Sequence, residues 1–171
     1  KILSEETTKG YLPINGSAEY ADAVQRLIFG ADHEIISAKR AITAHTPGGT
    51  GALRVAAEFI KLVNPDATVW LSQPTWPNHP TIFHAAGLET KNYPYYDAEA
   101  KKLDFDALVN ALDAVKPGDV VLLHGCCHNP TGMDPDAAQW TQLAQLVKEK
   151  QALAFFDFAY QGLGNGLDED A

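Results

Sequence analysis

The sequence predicts an α/β fold, a mostly parallel sheet with helices on both faces, and three observations carry that prediction. From about Ala41 onward, short apolar runs alternate with helical patterns, and no Ser/Gly-rich linker, repeat or low-complexity block interrupts them. The run Val120-Val121-Leu122-Leu123 is apolar at consecutive positions, as a strand covered on both faces must be. With 46% hydrophobic and 20% charged residues, the 171-residue chain has material for one buried core without a disulfide or metal staple.

The elements follow in order. Residues 1–16 read as irregular. Ser17 caps a helix whose apolar stripe is Tyr20, Val24, Leu27 and Ile28, and Gly30 stops it. Residues 40–46 read as the first strand, followed by the cluster Gly48-Gly49-Thr50-Gly51 and a helix through Arg54, Ala57, Phe59 and Leu62 that ends before Pro65. Thr68–Ser72 is the second strand. Gln73 to His79 forms a stiff loop with Pro74 and Pro77, leading into a helix that Gly87 terminates. Residues 88–95 alternate as the third strand. Asp104 starts a helix carrying Leu108, Leu112 and Val115, and Asp119–His124 is the fourth strand. Asp134 caps the next helix, with Pro135 at its first position and Trp140, Leu143 and Val147 inside. Residues 152–156 complete the set.

Charge narrows the partners. Thirteen Lys plus Arg against twenty-two Asp plus Glu leave a net charge of -9, the wrong sign for neutralising nucleic-acid phosphates. No run approaches the roughly 20 apolar residues that span a bilayer, and the first residues have no signal-peptide pattern, so a cytoplasmic location is expected, with no membrane partner. The two cysteines, Cys126 and Cys127, are neighbours and read as buried packing residues rather than a disulfide framework. The first residue is Lys1, and the chain reads as a piece of a longer one.

In parallel sheets ligands sit at the carboxyl ends of the strands, so the residues there carry the functional question. After the first strand, Gly49 and Thr50 open a helix where free N–H groups and the dipole favour an anion such as phosphate, without Walker or dinucleotide spacing. After the second, Trp76 sits between prolines and can offer its face to a flat ring, with His79 near enough to orient a ligand group.

The stretch His124-Gly125-Cys126-Cys127-His128-Asn129-Pro130-Thr131-Gly132 admits two readings. In one, His124, Cys126 and His128 share a strand face and bind a metal, although strand spacing sets such residues about 6.6 Å apart. In the other, Asn129 donates to a ligand oxygen, held by Pro130, which can adopt the cis form, with Gly132 allowing a tight turn. Finally, Asp157 lies among aromatic residues, where a lone carboxylate needs a cationic or N–H partner, and Tyr160 follows three residues on. An anion on Gly49 and Thr50, a ring on Trp76, a ring oxygen near Asn129 and Tyr160, and a basic ring nitrogen on Asp157 together describe pyridoxal phosphate, with no metal.

The stretches Thr46 to Arg54, Trp76-Pro77-Asn78-His79, His124 to Gly132 and Phe156 to Gly162 resemble the class I aspartate and aromatic aminotransferases, in order and in spacing. The resemblance implies a three-layer fold-type I large domain, with residues 17–171 its central part and residues 1–16 reaching a neighbouring subunit. It implies that Gly49 and Thr50 hold the phosphate and Trp76 stacks on the pyridine ring. Asn129 and Tyr160 would bond the ring oxygen, and Asp157 would keep the ring nitrogen protonated with His79 behind it. Trp76 and Asn129 would also meet the substrate, and Asp157 and Tyr160 would serve catalysis.

Tyr11 resembles the tyrosine that reaches the neighbouring subunit's cofactor phosphate, which implies a homodimer. The implied reaction passes the amino group of aspartate or an aromatic amino acid to a 2-oxo acid such as 2-oxoglutarate. The family's Schiff-base lysine belongs to a later segment, and no lysine of this chain follows Asp157. The chain by itself is therefore expected to hold the cofactor's noncovalent contacts without the catalytic base. A noncatalytic scaffold and a small Cys/His metal protein are the rival readings.

Overall fold

The computed structural model describes residues 2–5 and 10–171. Residues 1 and 6–9 of the expected irregular segment lie outside that set. The chain forms two compact units, residues 1–48 and residues 49–171.

The first unit contains α1 (Ile2–Glu5), α2 (Ala18–Phe29) and α3 (Glu34–Ser37). The single helical turn of α1 falls inside the segment expected to be irregular. α2 starts and stops as its sequence dictates: Ser17 Oγ accepts from Tyr20 N at 3.2 Å, and Gly30 leaves the helix at φ +82°. Its apolar stripe is not buried: α2 contacts the four-residue α3 and Tyr20 stacks on His45 at 4.1 Å, while Tyr20, Leu27 and Ile28 stay exposed.

Among the described residues, 40–46 pair with no other segment and form no strand. A strand needs a ladder partner, and here the segment is tied by one side-chain bond, Gln25 Nε2 to Thr43 Oγ1 at 3.0 Å, and one isolated backbone bond, His45 N to Asn15 O at 3.0 Å. A local sequence can suit a strand without supplying the neighbour that a ladder requires.

The second unit is built on four parallel strands in the order β2-β1-β5-β6, where β1 is Thr68–Gln73, β2 Glu89–Pro94, β5 Val120–His124 and β6 Leu153–Asp157. The helices are α4 (Gly48–Val63), α5 (Asn78–Ala85), α6 (Phe105–Leu112) and α7 (Ala137–Glu149). Strand alternation divides the core into two layers. Val69, Leu71, Val120 and Leu122 meet Leu53, Ala57 and Ile60 of α4 and Phe83 of α5. Trp70, Val121 and Leu123 meet Leu108 and Leu112 of α6 and Leu143 and Val147 of α7 on the other face. All five residues of β5 are buried, which is why its sequence carries no polar alternation.

Three details differ from the sequence expectation. A hairpin of β3 (Tyr96–Asp97) and β4 (Lys102–Leu103) separates β2 from α6, turned by Asp97 Oδ1, which accepts from Glu99 N and Ala100 N at 2.9 Å. α6 ends at Leu112, before Val115, although Val115 still packs in the core. The cap of α7 is Asp136, not Asp134: Asp136 Oδ1 accepts from Gln139 N at 2.8 Å while Gln139 Oε1 accepts from Asp136 N at 2.9 Å. This reciprocal capping box outweighs the preference for Pro135 at the first position and releases Asp134 for other work.

Candidate active site

The carboxyl ends of β1, β5 and β6 and the start of α4 open on a cavity of about 290 Å³. That is close to the lower end of the roughly 300–1,000 Å³ typical of small-molecule sites. Gly49, Thr50, Trp76, Asn129, Asp157 and Tyr160 all line it. Leu53, His124, Cys126 and Ala159 complete the wall. Of the residues singled out from sequence, His79 is fully buried behind Asp157 rather than in the wall, and Tyr11 belongs to the first unit, where it is exposed.

Each wall has a local cause. Gly49 and Thr50 occupy the first turn of the 16-residue α4, where N–H groups lack intrahelical partners and the dipole presents about half a positive charge. Trp76 follows β1 in a loop that begins with a cis Gln73–Pro74 bond and ends at Pro77, the cap of α5. Its ring lies edge-on to His79, with centroids 5.3 Å apart. Asn129 precedes a cis bond to Pro130, and Gly132 closes that turn at φ +66°. Gly125 can only be glycine, since a Cβ there would stand 1.8 Å from the Phe158 ring. That absence lets Gly125 N reach Asp157 O at 2.9 Å and keeps the ends of β5 and β6 together.

A chain of hydrogen bonds links wall residues Asn129, His124 and Asp157 through Thr75 and His79, and its direction follows from its ends. Asn129 N can only donate, and it donates to His124 Nδ1 at 3.2 Å. His124 therefore carries its proton on Nε2 and donates to Thr75 Oγ1 at 3.1 Å. The Thr75 hydroxyl proton goes to His79 Nδ1 at 2.7 Å, and His79 Nε2–H goes to Asp157 Oδ2 at 2.8 Å. Every donor in the chain Asn129, His124, Thr75, His79, Asp157 points toward the carboxylate.

The electrostatics agree with that direction. Burial and the neighbouring His79 hold His124 down at about 4, so the ring is neutral as the chain requires. The His79 hydrogen bond holds the Asp157 carboxyl below the usual carboxylate range, against the opposing effect of burial. Asp157 is thus an anion with Oδ2 engaged, and its Oδ1 accepts no hydrogen bond among the described residues.

His128 does not join the cavity wall. It is buried, stacked between Tyr95 at 3.8 Å and His124 at 4.1 Å, with Nε2 2.9 Å from Ser72 Oγ and Nδ1 2.8 Å from Thr131 Oγ1. Both nitrogens of His124 and of His128 are consumed by these bonds, so the metal reading of this stretch loses its donors. No group of three or more metal-binding side chains exists among the described residues.

Cys126 is buried and its thiol is pushed up to about 12, chiefly by burial, so it packs as an unreactive residue. Cys127 departs from the buried expectation: it is half-buried at φ +50°, in a turn that Asp134 holds by accepting from Cys127 N at 2.7 Å and His128 N at 2.8 Å. Thr75 and Asp134 are the residues that sequence reasoning passed over. Thr75 lies among prolines with no periodic signal, and Asp134 resembled a helix cap.

The whole chain, residues 1–171, matches the family model described as aminotransferase class I and II. It is 57% identical to the aspartate aminotransferase of Escherichia coli over 99% of its own length and 43% of that protein's. It is 46% identical to an aromatic-amino-acid aminotransferase of Pseudomonas aeruginosa, over 100% of this chain and 43% of the relative. The crystal structure of an aromatic-amino-acid aminotransferase from Burkholderia pseudomallei, covalently bound to pyridoxal phosphate, superposes with a TM-score of 0.96 at 45% identity, covering 98% of this chain and 42% of that one. The chain thus spans about two fifths of the length of the curated relatives it matches. A family match over residues 1–171, with sequence relatives and a solved structure that cover nearly the whole chain, makes this chain a member of the class I and II aminotransferases.

Proposed function

We propose that this chain is the cofactor-holding part of a pyridoxal-phosphate-dependent transaminase. The observation that carries the proposal is the arrangement of charge in the cavity: an anionic Asp157, fed by a one-way chain of donors, and the positive end of α4 both border it. A ligand with a phosphate and a protonatable ring nitrogen satisfies both. The donor set fits that ligand, because Asp157 is ionised and its Oδ1, unlike Oδ2, accepts no hydrogen bond among the described residues, so it can accept one from a ring N–H.

Asp157 would hold a proton on the ring nitrogen. Gly49 and Thr50 would bind the phosphate through backbone N–H groups and the Thr50 hydroxyl. Trp76 would lie against the ring and, with Asn129, border the substrate. Asn129 and Tyr160 would hydrogen-bond the ring oxygen. His79 orients Asp157 and keeps its charge. Pyridoxal phosphate, when bound, supplies an electron-accepting ring that stabilises negative charge at the substrate's α carbon. The substrates on this reading are aspartate or an aromatic amino acid and a 2-oxo acid, in keeping with the names of the relatives.

The remaining parts of the reading concern assembly. Residues 17–171 would form the central part of a large cofactor domain, and residues 1–16 an arm that reaches a second copy with Tyr11. The full exposure of Tyr11 and Ile14 supports such an arm. A homodimer in the cytoplasm follows from the same reading, and among the described residues no helix is long and apolar enough to cross a membrane.

Titration with pyridoxal phosphate, followed by absorbance, tests the central claim. A saturable spectral shift is expected, and Trp76→Ala should weaken binding about fivefold, the worth of one aromatic stacking contact. An unshifted spectrum at saturating cofactor rejects the proposal.

A further inference from the structure

The residues after Tyr160 form no helix or strand, yet they wrap a single carboxylate. Asp170 Oδ2 accepts from Gly162 N at 2.8 Å and Gly164 N at 3.0 Å, and Asp170 Oδ1 accepts from Asn165 N at 2.7 Å. Converging backbone N–H groups of this kind form a concavity that binds anions. Here the anion is the chain's own, and it is 9% exposed. The Asn165 N–H and its neighbours hold the Asp170 carboxyl below its ordinary range, so it stays charged at neutral pH.

Tyr160 depends on this turn. Its hydroxyl makes no hydrogen bond among the described residues, although its side chain lines the cavity. The backbone must therefore aim the phenol. Leu163 N donates to Tyr160 O at 3.0 Å, which places the first residues of the turn directly against Tyr160. Gln161 Nε2 donates to Leu167 O at 2.9 Å, drawing the return limb onto the same point. Gly164 lies so close to the carboxylate that a Cβ would stand 2.7 Å from Asp170 Oδ1.

We propose that Asp170 is a positioning residue for Tyr160: its carboxylate gathers the turn that leaves Tyr160 and thereby fixes where the phenol stands in the cavity wall. The consequence for the cofactor rests on the reading that Tyr160 faces bound pyridoxal phosphate. The positioning itself does not.

The test uses the full chain, first without cofactor. Asp170→Asn keeps the shape but turns an N–H₂ toward the backbone donors. Amide exchange at Gly162, Gly164 and Asn165 should rise about tenfold or more, and the Tyr160 ring resonances should shift. Gly164→Ala, which crowds the carboxylate without changing any charge, should move the same ring resonances. If both variants leave the Tyr160 ring signals unmoved, Asp170 is purely structural and the proposal is overturned.

With pyridoxal phosphate added, Asp170→Asn should weaken binding about tenfold in the parent and add nothing in a Tyr160→Phe background. An equal further loss in that background overturns action through Tyr160. Should Tyr160→Phe leave cofactor affinity unchanged, the cofactor role of Tyr160 fails, while the ring signals recorded without cofactor still decide the role of Asp170.

Discussion

Thr75 is the residue on which the polarity of the site turns. It is the one hydroxyl between His124 and His79, and it satisfies both by accepting from one ring and donating to the other. Thr75→Val preserves shape and removes both bonds, leaving His124 Nε2 and His79 Nδ1 without partners in a buried setting. Urea unfolding should show a loss of about 1–3 kcal/mol, the usual penalty for stranding a buried polar group. An unchanged unfolding free energy would mean that water takes Thr75's place and that the chain has no fixed direction. Asp157→Ala acts at the other end of the same chain. In a full-length protein it should lower transamination about 100-fold or more, with an unaltered circular dichroism spectrum, because it removes the anion that the other four members serve. A fully active Asp157→Ala variant would show that the carboxylate is not needed to hold a proton on the cofactor.

At the level of elements, the legible parts were those in which one physical signal dominated. β5 announced itself because a doubly covered strand has no polar positions, and α2 because Ser17 and Gly30 bracket it. The illegible parts were those in which two signals competed or the deciding partner was distant in sequence. Asp134 and Asp136 both look like caps. The Gln139 side chain, reaching back to Asp136, decides between them, and Asp134 is then captured by two N–H groups of a turn that its own sequence neighbourhood does not reveal. Residues 40–46 read as a strand, but pairing is a property of two segments and no ladder forms there among the described residues.

The site was legible for the complementary reason. Gly49, Trp76, Asn129 and Asp157 each follow a predicted strand or precede a predicted helix, and the structure brings them to one cavity even though residues 40–46 pair with no strand among the described residues. The two acidic residues make opposite predictions that separate their roles. Asp136→Ala should cost about 1 kcal/mol in thermal or urea unfolding and leave cofactor affinity unaltered, as loss of a helix cap does. Asp134→Ala should weaken cofactor binding, because it loosens the turn that carries Asn129. Equal effects of the two variants on binding would dissolve the distinction.

For the molecule as a whole, two electrostatic effects of opposite sign compete as the pH falls from neutrality. The net charge of -9 shrinks toward zero near the pI of 5.0, and relief of self-repulsion by itself would stabilise the fold. The buried histidines act the other way. Burial lowers His124 from 6.5 to about 4 and His128 from 6.5 to about 3, so each is neutral in the fold while its unfolded counterpart takes up a proton. Stability rises with pH wherever the unfolded chain binds more protons, and it must therefore fall as the pH drops below 6.5. The loss continues until the folded rings themselves protonate. Asp157, held below 3.8, adds its own loss only beneath the ordinary carboxylate range.

Two protons taken up on unfolding correspond to roughly 2–3 kcal/mol per pH unit between about pH 5.5 and 4, which exceeds what diffuse, salt-screened surface charge supplies. The urea midpoint should therefore decline across this window and do so equally at 0.05 and 0.5 M salt, since the groups responsible are buried. His128→Asn should reduce the slope by about half, because one of the two protons is removed. A midpoint that holds constant or rises from pH 6 to 4.5, or a decline that salt abolishes, would assign control of stability to the acidic surface and not to the histidine stack behind the cavity.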